Sequence, residues 1–166
     1  MIIKSHFKSY LQLIFKHYLN YKVINIQSIS KSNLQKKPFL LIYFLGWMDH
    51  NTMVKLVNYV QHGGIIYSVG DIPRFNENFE PDSTLMDIYL AKTKGLFDDK
   101  TKCIWNKENF HFKIQDVQYL YEFQLKTKDN LRILAHDGNY DHFFAFTREF
   151  EKGKIIHSGI LINPTF

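Results

Sequence analysis

The chain has 166 residues, 45% of them hydrophobic, with a formal net charge of +5, a size and composition that fit one domain (residues 1–166) around a single core. Its one cysteine, Cys103, excludes an internal disulfide, and no apolar run is long enough to cross a bilayer. The charge is uneven: residues 1–48 carry seven lysines and no acid. A basic segment can serve nucleic acid or an anionic membrane. These lysines are scattered and lack the arginine forks that phosphate recognition recruits, so they read as solvated faces, and neither partner is expected.

Residues 5–18 have helical spacing, with Phe7, Tyr10, Leu11, Ile14 and Tyr18 on one stripe and Ser5 as a cap. Residues 21–28, with Val23, Ile24 and Ile26, read as a strand, and Pro38 sets the entry to the next one. The run Phe-Leu-Leu-Ile-Tyr-Phe-Leu at 39–45 has no polar alternation and is expected to be a strand buried on both faces. Asp49 or Asn51 caps the following helix, with Met53, Val54, Val57 and Val60 on its inner side and Gly63-Gly64 at its exit. Ile65 to Val69 is then the second parallel strand of a right-handed βαβ unit. A polar loop over 74–83 leads to a second helical pattern at Leu85, Met86, Ile88, Tyr89 and Leu90, which Gly95 is expected to end. From Cys103 onward the pattern is β-like, with hairpin turns at Asp137-Gly138 and Gly153.

These elements predict an α/β fold: a doubly wound, mostly parallel sheet with helices on both faces and a β-rich C-terminal part. Its usual opening strand is missing or stunted, because only Met1-Ile2-Ile3 precede the first helix. In such a sheet the cleft lies beyond the carboxyl ends of the strands, here Gly46-Trp47-Met48-Asp49 and Gly70-Asp71-Ile72-Pro73-Arg74. Trp47 offers an aromatic face to a sugar ring, Asp71 an acceptor and Arg74 an anion clamp; these three are the candidate ligand-binding residues. Carboxylates at turns also bind local N–H groups, so a structural role competes at Asp71.

No catalytic residue is expected. The position of a hydrolase elbow reads Ser68-Val69-Gly70-Asp71-Ile72 rather than Gly-x-Ser-x-Gly. Cys103 reads as a small core residue. The eight histidines show no metal-ligand spacing, and His136-Asp137 with Asp141-His142 reads as solvent-facing polar pairs at a hairpin end. No metal, cofactor or phosphate loop is expected.

The segment Leu56-Val57-Asn58-Tyr59-Val60-Gln61-His62-Gly63-Gly64-Ile65-Ile66-Tyr67, followed by Gly70-Asp71-Ile72-Pro73, resembles the Leu-x-x-Tyr-Val-x-x-Gly-Gly signature of class I glutamine-amidotransferase-like domains. It is most similar to the non-catalytic version that follows the catalytic barrel in bacterial β-galactosidases of glycoside hydrolase families 35 and 42. Ala145 to Gly159, turning at Lys152-Gly153-Lys154, is similar to the family's closing strand-turn-strand. The resemblance implies a flavodoxin-like domain that helps subunits associate and lacks the amidotransferase cysteine. The partners it implies are a second copy of the chain or a separately encoded glycosidase barrel, with a carbohydrate ligand as the alternative, and the location it implies is cytoplasmic. A retaining glycosidase needs two carboxyls about 5 Å apart across the sugar bond. Glu77, Glu80, Glu108, Glu122, Glu149 and Glu151 fall on loops or hairpins, so none is given that role.

Overall fold

A computed structural model describes residues 34, 36, 39–98, 103–105, 110–111, 117–127 and 129–162. The helix expected over 5–18 and the strand expected over 21–28 lie outside the described residues, and with them the question of the opening strand.

The βαβ unit is present. Strand β1 (Phe39–Trp47) leads through helix α1 (His50–Gln61) to β2 (Ile65–Phe75), and β1 and β2 pair in parallel from Phe39↔Ile65 to Leu45↔Asp71. Asp49 is the cap, its Oδ1 accepting from the backbone N–H of Thr52 at 2.8 Å. The buried side of α1 is Thr52, Met53, Leu56, Tyr59 and Val60. That is about a quarter-turn from the expected stripe, and it leaves Val54 38% exposed. Tyr59 takes the inner position because Gly64 passes over its ring: a Cβ at Gly64 would lie 2.3 Å from Tyr59 Cε1. Gly63, at φ +99°, supplies the left-handed exit.

The rest corrects the expected architecture. After α2 (Thr84–Tyr89) come β3 (Ala91–Leu96), β4 (Ile104–Trp105), β5 (Phe110–His111), β6 (Val117–Leu125), β7 (Leu131–His136), β8 (Phe143–Phe150), β9 (Gly153–Ser158) and β10 (Ile160–Ile162). The main path runs β1-β2-β9-β8-β7-β4-β5, with β6 joining β8, β3 and β10. Only β1–β2 and β2–β9 are parallel; the other pairings are antiparallel. The described residues therefore form a mostly β, mixed sheet with two helices. They do not form a flavodoxin-like, doubly wound, mostly parallel sheet with helices on both faces. Both helices enter one apolar cluster, with Met53, Leu56 and Val60 of α1 meeting Leu85, Ile88 and Tyr89 of α2, whereas the smaller cluster around Cys103, Leu120, Phe144 and Ile160 contains no residue of either. The physical reason is connection length. A parallel pair needs a crossover of a dozen or more residues, and the links from β7 to β8 and from β8 to β9 are far shorter.

Three boundaries also move. β2 continues through Gly70 and Asp71 to Phe75 instead of stopping at Val69. Helix α2 ends on Leu90, itself left-handed at φ +50°, so Gly95 falls within β3. Gly159 divides the closing apolar run into β9 and β10.

Candidate functional site

The open end of the β1–β2 pair is built around close backbone approaches. Gly70, at φ +103°, lies against the Phe44 carbonyl, which a Cβ there would meet at 2.5 Å. Gly46, at φ +82°, lies against Asp71, whose Oδ2 would be 2.5 Å from an added Cβ. The β1 register shifts between Leu45 and Trp47, so that Trp47 sits opposite Phe75. Glycine tolerates both conformations, which a residue with a side chain would adopt only with strain.

Asp71, Arg74 and Trp47 are brought to this end together. Arg74 Nη2 lies 3.7 Å from Asp71 Oδ2, an ion pair too long for a direct hydrogen bond, and the Arg74 guanidinium stands over the Phe75 ring at 5.6 Å. Asp71 Oδ1 is buried without a hydrogen-bond partner among the described residues. Trp47 is 44% exposed, and its ring meets Phe79 at a centroid distance of 6.0 Å. Close to Asp71, burial and then neighbouring charge hold the Tyr121 phenol above its usual range. Tyr43 is pushed up to about 12 by burial and the phenols of Tyr121 and Tyr119.

Sequence patterns gave no sign of Phe79. It tips the loop after β2, 70% exposed, with φ +60°. A bulky residue in the left-handed region costs about 1–2 kcal/mol relative to a right-handed conformation. The loop is nevertheless tightly held. Asn76 Oδ1 accepts from the backbone N–H groups of Asn78 (2.9 Å) and Glu80 (3.0 Å), and Phe75 bridges Pro81. The β1–α1 corner grips the same loop: Met48 N–H donates to the Phe75 carbonyl (3.0 Å), His50 N–H donates to Glu77 Oε2 (2.9 Å), and His50 Nδ1 pairs with Asp82 Oδ2 (2.7 Å). That last bond raises the His50 pKa, and the Asp82 charge adds to it.

A second constellation without a sequence signal lies in the core. Ser68 Oγ is 2.8 Å from both His157 Nδ1 and Tyr89 Oη. Serine and histidine at this separation have nucleophile-base geometry. All three residues, however, are 0% exposed, so the group acts as a buried polar network. Burial pushes the His157 pKa down to about 3 and the Tyr89 phenol upward. A separation of 89 residues between Ser68 and His157 keeps the pair out of any local motif.

The remaining candidates have structural partners. Cys103 is buried and its thiol is pushed up to about 11 by burial, unlike a reactive thiolate. His136 Nδ1 accepts from the Gly138 N–H (2.9 Å), Asp137 Oδ1 accepts from the Asp141 N–H (3.1 Å), and His142 Nδ1 meets Glu122 Oε1 at 2.8 Å. No group of three or more metal-ligating side chains exists among the described residues.

Comparison with known proteins agrees with the resemblance read from residues 56–73. The chain belongs to the family described as "GLMA-like, second domain", which matches residues 4–130. Over 67 residues it is 30% identical to an exo-β-D-glucosaminidase of Thermococcus kodakarensis, a stretch that covers 40% of this chain and 8% of that enzyme. Its fold is similar to that of Gan42B, a GH42 β-galactosidase from G. stearothermophilus, with a TM-score of 0.69, 12% identity, and coverage of 96% of this chain and 23% of that one. It is also similar to the cytoplasmic protein STM3548 from Salmonella typhimurium, with a TM-score of 0.59, 14% identity, and coverage of 91% and 73%. The chain thus spans less than a quarter of the length of either glycosidase.

Proposed function

We propose that this chain is a non-catalytic accessory domain of a glycoside hydrolase, a single domain that associates with itself or with a separately encoded glycosidase barrel. The observation that carries this reading is the family match to a domain counted second in its parent proteins. The fold supports it by recurring as under a quarter of a β-galactosidase. The carboxylates support it too. Glu77 bonds the His50 backbone, Glu80 bonds Asn76, Glu122 bonds Lys94 and His142, and Glu149 bonds Lys154, so each of these four has a structural partner. Exposed Phe39, Leu45, Trp47, Phe79 and Leu96 supply apolar contact surface. Neither nucleic acid nor membrane enters the reading; among the described residues no helix is long and apolar enough to cross a membrane. A cytoplasmic location belongs to it, in keeping with the described location of the Salmonella neighbour.

Sedimentation of the purified chain over about a hundredfold concentration range tests association. The mass is expected to rise with concentration, or the chain to co-sediment with a glycosidase barrel. A monomer at every concentration that binds no barrel overturns association, and turnover of a chromogenic β-galactoside or β-glucosaminide by the chain alone overturns the non-catalytic role.

A further inference from the structure

Two of the exposed apolar residues have a more specific setting than contact area alone: Phe79 is held in a left-handed conformation beside Trp47, next to an acid and a base that do not close on each other. We infer that Trp47, Phe79, Arg74 and Asp71 form a binding site for a neutral pyranose sugar. A pyranose presents apolar C–H groups on its ring faces and hydroxyls at its edge. The Trp47–Phe79 pair, 6.0 Å between centroids and inclined at 45°, offers an exposed aromatic surface to the first. The second fit the gap between Arg74 Nη2 and Asp71 Oδ2. At 3.7 Å these groups are too far apart to bond directly, and a hydroxyl beside them accepts from the guanidinium while donating to the carboxylate.

Charge selects the sugar class. Asp71 and Arg74 cancel, and Glu77 and Glu80 stand in the same loop as Phe79, so a phosphate or uronate is repelled and a neutral hexose is not. The loop is built for presentation. Its hydrogen bonds to Asn76, Met48 and His50 hold Phe79 where glycine or asparagine would sit without strain. This inference shares Trp47 and Phe79 with the association surface but adds the Arg74–Asp71 pair, so sugar binding and self-association are read separately and either can fail alone.

The intact chain is titrated with galactose and with glucose, using inorganic phosphate and glucuronate as charged controls, and followed by saturation-transfer NMR and tryptophan fluorescence. Transfer from the neutral sugars with dissociation constants in the millimolar range, about 1–10 mM, is the expected result. Phe79→Gly is expected to weaken binding by about tenfold or more while its melting temperature stays level or rises, because glycine relieves the strain. Arg74→Met, at an exposed position, is expected to keep the fold and lose affinity to a similar degree. Absence of transfer from both neutral sugars at about 50 mM, unchanged affinity in Arg74→Met, or tighter binding of glucuronate overturns the proposal. So does loss of self-association in Phe79→Gly without sugar binding by the parent chain, which makes the aromatic pair a protein contact.

Discussion

The imidazole of His157 is enclosed by the rings of Phe123, Tyr89, Phe146 and Phe44, at centroid distances of 4.7, 5.3, 5.5 and 6.1 Å. It bonds Ser68 through Nδ1, and its Nε2 is buried without a partner among the described residues. A cation there would lose more hydration than the backbone of Gly70 and Ser68 restores, so the ring stays neutral in the folded protein and its pKa falls to about 3 from the ordinary 6.5. Below about pH 6.5 the unfolded chain takes up a proton that the folded chain refuses. Stability is therefore lost as pH falls, by about 1.4 kcal/mol per unit at most, until the folded pKa is reached. His136, lowered by burial, adds the same sign. Urea unfolding at pH 7, 6 and 5 is expected to show this slope in the parent chain and a flatter one in His157→Gln, which starts less stable. Ser68→Ala strips the partner from both Tyr89 Oη and His157 Nδ1, and is expected to cost about 1–3 kcal/mol at pH 7 in the same assay.

At the scale of elements, the start of β9 threads beside the end of α1 with no room to spare. A Cβ on Gly153 would lie 2.1 Å from the Val60 carbonyl oxygen and 2.4 Å from that of Gly64, both backbone atoms that cannot swing aside. Gly95 in β3 has nothing within 4 Å. Gly153→Ala is expected to destabilise the fold by about 2–3 kcal/mol or more and Gly95→Ala to change it by less than about 1 kcal/mol, a contrast that thermal melts of the two variants will show. Elements are legible in the sequence where the signal is local. The unbroken apolar run before Gly46, the Asp49 cap and Gly63-Gly64 define β1-α1-β2 from neighbours in the chain. Mostly parallel pairing does not extend to the rest of the sheet, because an apolar strand reads alike whichever direction its neighbour runs, and the short turns around Gly138 and Glu151 fix that direction. The site divides in the same way. Trp47, Asp71 and Arg74 are candidates from the rule about strand ends, although β2 runs on through Asp71 and Arg74 to Phe75, whereas Phe79 depends on a backbone angle, and Ser68–His157 on a pairing of distant strands, β2 with β9.

At the scale of the whole molecule, β2 and β8 each have β9 as a neighbour, so the parallel and antiparallel halves of the sheet meet on one six-residue strand. Ile155 of that strand and Phe146 of β8 also enter the larger core cluster. Deleting residues 153–162 is expected to abolish cooperative melting altogether, rather than lower the midpoint by a few degrees; differential scanning calorimetry of the shortened chain checks this.

The position of β9 also sets an order of events during synthesis. Residues 65–69 emerge from the ribosome more than eighty positions before residues 154–158, their partners in the ladder. Until then one flank of β2 has no mate, and the nascent chain carries an open apolar edge of the kind that invites mispairing with other polypeptides. Contacts this distant in sequence close slowly, so the interval before β9 arrives is when a cell's chaperones have most to protect.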